Sequence, residues 1–274
     1  MPDVEDENAR AADLDLLDTY AREAGRIALG YFQADPQIWT KGDSSPVTEA
    51  DLAVDAFLRN GLIGERPDLG WLSEETVDDG SRLSHDRLFV VDPIDGTRAF
   101  IAGLPDWTVS LAMVENGRPV AAALFCPPRD EMFLAGRGLG ARLNGVPLST
   151  GRAATLEGAR IAAPKSFVRR ELLARAGMEA VPFVHSLAYR LALVACGRID
   201  GAAASGRACD WDLAAADLLV SEAGGRLVEL SGGPVRYNAA DVRHAPLIAS
   251  GEALSGPLLL FFSAHMAADG QPRS

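Results

Sequence analysis

The octapeptide Val90 to Thr97, VVDPIDGT, sets two carboxylates, Asp92 and Asp95, three residues apart at the end of an apolar run that begins at Leu88. A turn there uses the proline and the glycine, and either aspartate alone is explained as a turn cap that bonds its own backbone. Both together are harder to explain, because two acids at close range raise each other's pKa unless a cation lies between them. A donor set of carboxylate and carbonyl oxygens selects a hard cation, Mg²⁺ or Mn²⁺, over zinc. The carboxyl end of a buried strand is also where α/β sheets hold ligands. The N–H groups of Gly96 and Thr97 are placed to hold an anionic oxygen beside such an ion.

Other acids sit at comparable places. Glu74 and Glu75 follow the short apolar stretch Trp71-Leu72-Ser73, so one of them can face the same strand-end cleft. Asp51 lies three residues after Thr48, close to a capping box, and a cap is a rigid mount for a base. Asp212, in DWDLAA, reads as the N-cap of an amphipathic helix, and a carboxylate there is well placed to share a metal and phosphate site. Taken singly, none of these acids decides the chemistry.

Several chemistries are excluded by what the chain lacks. It has no GxSxG elbow, no GxxxxGK(S/T) loop and no HExxH. Gly136 to Ala141 matches GxGxxA but falls between hairpin strands, without the helix a dinucleotide site requires. The strand tip is Asp-x-x-Asp rather than Asp-x-Asp, so no covalent aspartate is expected. His85, His185, His244 and His265 have no ligand spacing and read as incidental.

The bulk numbers are those of an ordinary soluble globular chain. At 274 residues, 48% hydrophobic and 23% charged, the chain can bury a large core. Its formal charge of −12, with no sustained basic patch, disfavours nucleic acid and suits a divalent cation. Cys126, Cys196 and Cys209 form neither a disulfide framework nor a zinc cluster, which points to a reducing cytoplasm. The acidic start MPDVEDENAR lacks a signal-peptide layout, and no apolar run is long enough to span a bilayer.

These residues need elements to position them. Helical spacing recurs from Leu14 to Phe32, followed by an aperiodic, mobile loop over Trp39 to Val47 and a helix from Thr48 to about Leu62. Strands follow from Gly70 to Ser73 and then from Leu88 to about Leu148, with hairpin signals at Asn116-Gly117 and Asn144-Gly145. After Thr150 strands and helices alternate: a strand at Ala159 to Ala163, helices at Arg169 to Ala176 and Leu187 to Cys196, a strand at Ile199 to Ala204, and a helix from Asp212 to Ala223. That helix stops at Gly224-Gly225. The expected organisation is an α+β half over residues 10–150 and an α/β half over 151–265, with disordered tails at 1–9 and 266–274.

In their order these segments resemble the inositol monophosphatase family of metal-dependent phosphomonoesterases. The matching pieces are Thr48-Glu49-Ala50-Asp51, Ser73-Glu74-Glu75, Asp92-Pro93-Ile94-Asp95-Gly96-Thr97, and Trp211-Asp212-Leu213-Ala214-Ala215 followed by Glu222-Ala223-Gly224-Gly225. The resemblance implies an α+β fold built as a five-layer α-β-α-β-α sandwich, related to fructose-1,6-bisphosphatase, and a homodimer. It implies that Glu74, Asp92, Asp95, Asp212 and the Ile94 carbonyl bind two or three Mg²⁺ ions, with Mn²⁺ as a substitute. Asp51 and Thr97 would position and deprotonate the attacking water, with Glu74 assisting, and the Gly96 and Thr97 N–H groups would hold a phosphate oxygen. Lys41 matches a basic residue that approaches metals and phosphate.

Two positions depart from the inositol-specific pattern. Arg98 follows the DGT triplet where a small or amide residue is usual, and Ser205 stands where a Glu contacts the ring hydroxyls. Arg98 either meets a second phosphate or lies on the surface. Substrate contacts are expected at Ser186, Ala188 and Ser205 to Asp210. The implied activity is hydrolysis of a small phosphomonoester. An inositol-1-phosphate-type polyol and 3′-phosphoadenosine 5′-phosphate stand nearly level as substrates, with histidinol phosphate third. A non-catalytic binding role on the same scaffold, as in relatives that affect RNA processing through protein partners, is disfavoured because every metal acid and the dyad Thr are present.

Overall fold

Two-residue alternation along one strand sets the layers. The computed structural model describes residues 4–40, 45–164 and 168–269. The chain runs through α1 (Val4–Tyr31), β1 (Ile38–Thr40), β2 (Pro46–Thr48), α2 (Glu49–Glu65), β3 (Gly70–Ser73), β4 (Arg87–Asp95) and α3 (Thr97–Ile101). It continues with β5 (Thr108–Glu115), β6 (Arg118–Cys126), β7 (Glu131–Gly136), β8 (Gly140–Leu143) and β9 (Val146–Pro147). Then come β10 (Arg160–Ala162), α4 (Arg170–Arg175), β11 (Glu179–Ala180), α5 (Leu187–Ala195), β12 (Gly201–Ala204), α6 (Asp210–Glu222), β13 (Gly225–Glu229), β14 (Leu247–Gly251) and α7 (Glu252–Asp269).

Seven strands form one sheet in the order β3-β4-β5-β6-β7-β8-β9, antiparallel except for the β3–β4 pair. Five form a second sheet, β11-β10-β12-β14-β13. On β4, Phe89 and Val91 point into a core shared with α1 and α2, whereas Leu88 and Val90 point into a core shared with α5 and α6. The far side of the α5–α6 layer meets Ala202, Ala204, Leu247 and Ala249 of the second sheet. That sheet's outer face, with Ile161, Ala203 and Ile248, is covered by Leu173 of α4 and by Leu254, Leu258 and Phe262 of α7. The result is five layers, α-β-α-β-α. The chain passes from the first sheet to the second between β9 and β10, near residue 150.

Asp92 has the parity of Leu88 and Val90, so alternation aims it at the α5–α6 layer. The register between β4 and β5 then shifts between Asp92 and Asp95, which re-aims the second acid.

Four expectations need correction. α1 begins at Val4, so residues 4–9 are helix rather than a disordered tail, and α7 extends through Asp269. The loop expected over Trp39 to Val47 contains paired strands, with Trp39 opposite Val47. The half read as α/β from its alternating strands and helices is built on a mixed sheet, because β14 runs antiparallel to both β12 and β13. Short strands with small residues, such as Gly-Ala-Ala-Ala in β12, carry no periodic signal of direction. Finally, Asp212 is not an N-cap: α6 starts at Asp210 with Cys209 as its cap, and Asp212 Oδ2 accepts the Cys209 N–H at 2.6 Å from the third helical position.

Candidate active site

At the carboxyl end of β4, carboxylate oxygens of Asp92, Asp95 and Asp212 lie within 4.8 Å of one another. Asp92 and Asp95 are buried and Asp212 is half-buried. Asp92 Oδ1 accepts the Ile94 N–H at 3.0 Å, while its buried Oδ2 has no hydrogen-bond partner among the described residues. A buried carboxylate oxygen left without a donor is costly unless a cation takes it. Burial raises the Asp92 carboxyl well above the usual carboxylate range, and the charges of Glu74, Asp95 and Asp212 push it further. Asp212 is raised in the same way by burial and then by Asp95 and Glu74, partly offset by the Cys209 N–H and Arg190. For Asp95, burial lifts the pKa to about 6 against the hydrogen bonds it receives. An all-oxygen cluster that resists ionising by itself fits a hard divalent cation.

Asp95 is held from behind by the start of α5. The Ala188 N–H donates to Oδ2 at 2.7 Å, the Leu187 N–H to Oδ1 at 3.3 Å, and the Ser186 hydroxyl also bonds Oδ2. Ser186 is fully buried, accepts the Tyr189 N–H at 2.9 Å, and is hydrogen-bonded to Thr108 Oγ1. The structure places Ser186 and Ala188, expected as substrate contacts, behind Asp95, where both bond its carboxylate. Gly96 must be glycine, since its φ is +94° and an added Cβ would lie 3.0 Å from the Asp106 carbonyl and 3.1 Å from the Ser186 N.

The two oxygens of Asp51 divide their work. Oδ2 accepts the Thr48 N–H at 2.8 Å and the Thr48 hydroxyl at 2.6 Å, completing a capping box for α2. Oδ1 faces the Thr97 hydroxyl at 3.4 Å, and that hydroxyl also lies 3.1 Å from the Ile94 carbonyl. A hydroxyl carries one proton, so it serves these acceptors in turn.

A cavity of about 230 Å³ opens onto these groups, lined by Glu74, Asp92, Asp95, Asp212, Gly96, Thr97 and Arg98, with Ser45, Pro46, Phe183 and His185 completing it. Glu74 stands on its wall, outside the tight three-acid cluster, where β3 ends beside β4. Asp55 of α2 fixes that strand end by accepting from Ser73 Oγ and, at 2.9 Å, from Thr76 Oγ1. Glu75 does not line the cavity. Arg98 is exposed at the rim. Ser205 is half-buried and outside the lining, and Lys41 lies outside the described residues.

Sequence reasoning missed two neighbours. His185, set aside as incidental, lines the cavity, with its N–H and Nδ1 on Asp106 Oδ2 at 2.7 and 2.9 Å. Arg190, on α5, is buried with its guanidinium 5.3 Å from the Phe183 ring centre, and the charges of Asp95 and Asp212 oppose the lowering of its pKa by burial. Neither His185, just before the N-cap of α5, nor Arg190, three residues after its first residue, has a spacing that hints at these contacts. Arg190→Met should lower the melting temperature of the metal-free protein more at pH 8 than at pH 5, because the acids it faces are then ionised. Equal losses in chelator at both pH values would show that packing alone is involved.

No helix among the described residues is long and apolar enough to cross a membrane. A family model described as the inositol monophosphatase family matches residues 13–255. A histidinol-phosphatase of Mycobacterium tuberculosis is 37% identical over 227 residues, covering 77% of this chain and 84% of its own. The Nus factor SuhB of Escherichia coli K12 is 36% identical over 225 residues, covering 78% and 83%. The solved structure of a Thermotoga maritima inositol monophosphatase superposes with a TM-score of 0.83 at 26% identity, over 95% of this chain and 99% of that one. The chain belongs to the inositol monophosphatase family.

Proposed function

We propose that this member of the inositol monophosphatase family is a Mg²⁺-dependent hydrolase of a small soluble phosphomonoester, working by direct attack of water. The observation that carries the reading is the unpartnered, buried Oδ2 of Asp92 within a cluster of three carboxylates. Asp92, Asp95, Asp212, Glu74 and the Ile94 carbonyl would hold two or three ions, and that carbonyl keeps a second lone pair beyond its contact with Thr97. When bound, the cations offset the charge of a phosphate dianion and make water a better nucleophile at neutral pH.

The chain's own residues supply position and proton handling. Thr97 would orient a water with its hydroxyl, and Asp51 Oδ1, on the other side of that hydroxyl, would take the proton as the water's oxygen bonds to phosphorus and the ester P–O bond breaks, the leaving alkoxide taking a proton from solvent. The Gly96 and Thr97 N–H groups, at a turn that only glycine can make, face the phosphate oxygens. Lys41 would approach the same phosphate. Thr97→Ala should lower kcat by about a hundredfold while leaving the Mg²⁺ concentration for half-activation little changed. Unaltered turnover would remove the dyad from the mechanism.

The site lies in a cytoplasmic homodimer on this reading. The first substrate candidate remains an inositol-1-phosphate-type polyol, with 3′-phosphoadenosine 5′-phosphate and histidinol phosphate as alternatives. The similarity to a histidinol-phosphatase and to a Nus factor keeps both the third substrate and a binding role in view. Phosphate release with Mg²⁺ from these three esters and fructose-1,6-bisphosphate tests the proposal. Strong turnover of one ester is expected, and no release from any of them would overturn it.

A further inference from the structure

Glu74 lines two cavities, the carboxylate cavity and a larger one. The larger, about 810 Å³, is lined by Glu74, Asp78, Arg207, Cys209, Trp211 and Arg243, among others. Cys209 and Arg243 pair across an antiparallel bridge, flanked by hydrogen bonds from the Asp210 N–H to the Val242 carbonyl and from the His244 N–H to the Ala208 carbonyl. Directly opposed residues share a face, so the Cys209 and Arg243 side chains project together while Ala208, Asp210 and His244 are buried behind them. Arg207 reaches the same cavity from the preceding turn, and the half-buried indole of Trp211 adds a flat wall.

The charges are what single this cavity out. Neither the Arg207 nor the Arg243 guanidinium forms an ion pair or side-chain hydrogen bond among the described residues. Of the acids on the wall, Asp78 is committed to the buried Arg82, which bonds it through Nε at 3.0 Å and Nη2 at 2.9 Å. Asp241 accepts the Arg243 backbone N–H at 3.0 Å. Arg82 also reaches across to Asn238 Oδ1 at 2.7 Å and the Ala239 carbonyl at 2.9 Å, which fixes the two walls to each other. In a chain of net charge −12, two unspent guanidiniums beside a phosphate-sized site suit an anion.

We infer that this cavity is a second anion subsite, and that the substrate is a phosphomonoester whose leaving group carries a further phosphate or carboxylate bound by Arg207 and Arg243. The inference rests on the phosphatase reading and narrows its substrate class. The scissile phosphate occupies the smaller cavity, the leaving group passes Glu74, and its second anion meets the guanidiniums. Ser205, where a ring-reading acid is expected, lies two residues before Arg207, so the segment that would read hydroxyls presents a cation instead.

The test compares matched esters: adenosine 3′,5′-bisphosphate with adenosine 3′-monophosphate, and inositol 1,4-bisphosphate with inositol 1-phosphate. The wild-type protein should favour at least one doubly charged ester by about tenfold or more in kcat/KM, as one charge-assisted contact supplies. In the Arg207→Ala/Arg243→Ala double variant the ratio should fall to within about twofold, and Arg243→Lys should recover part of it. No preference in the wild type, or a preference the double variant keeps, would overturn the subsite. If the wild type releases phosphate from none of the four, the phosphatase reading falls separately. Calorimetric titration of the same esters then decides the subsite by whether the double variant weakens only the doubly charged ligands.

Discussion

Asp95→Asn is expected to lower Mg²⁺-dependent phosphate release by about a thousandfold or more, with the protein still folded. The effect is large because Asp95 shares the site with Asp92 and Asp212, and losing one charge undoes a cluster rather than a single contact. A thousandfold corresponds to about 4 kcal/mol of barrier, within the several kcal/mol that metal stabilisation of phosphoryl transfer supplies. Folding should survive because Asn keeps the shape and can turn its one carbonyl oxygen to the Ala188 N–H and the Ser186 hydroxyl, giving up only the longer Leu187 N–H contact on the other oxygen. It also removes one of the mutually repelling charges, so the metal-free variant should melt no lower than the metal-free wild type at pH 8. Circular dichroism melts alongside activity separate the two effects. An active variant would refute the metal assignment, and an unfolded one would show that Asp95 is part of the scaffold.

The second large effect is the coupling of stability to metal and pH. In the metal-free fold burial raises the Asp95 pKa to about 6, and raises Asp92 and Asp212 well above the usual range, so the folded state holds these protons more tightly than the unfolded chain. Their favourable contribution is complete below the unfolded carboxylate range near pH 4 and is lost as pH rises through about 6 and beyond. The metal-free protein should therefore melt lower at pH 8 than at pH 5. Divalent cations bind the deprotonated carboxylates and reverse the trend, most strongly at pH 8. At a hundred times its dissociation constant Mg²⁺ should stabilise the fold by about 2.7 kcal/mol, or roughly 5–10 °C in melting temperature. Scanning calorimetry with chelator and with Mg²⁺ at both pH values measures this. Identical melting temperatures with and without Mg²⁺ at pH 8 would mean that no cation binds the cluster.

Both predictions start from residues that were visible in the chain. The capping box of Thr48 and Asp51 is local, and the structure bonds the two residues as their spacing required. The hairpin turn at Asn144 has the left-handed backbone its Asn-Gly sequence favours, with φ of +48° and +82°. Asp92 and Asp95 were legible because they interrupt an apolar run, and the direction of Asp92 follows from strand parity alone.

What the sequence by itself determined, then, was the set of acids, their mounting on strand ends and helix starts, and, through the family motifs, the layered α+β fold. Those signals act over a few residues, through backbone periodicity and capping. Only the tertiary structure decided which groups meet across the layers. Ser186 turned out to brace Asp95 from 91 positions away, and His185 and Arg190 joined the site with no spacing to announce them. Arg207 and Arg243 line one cavity because a bridge at Cys209 brings two distant segments together. Contacts of that range are fixed by how whole layers pack, and no local pattern in the chain encodes them.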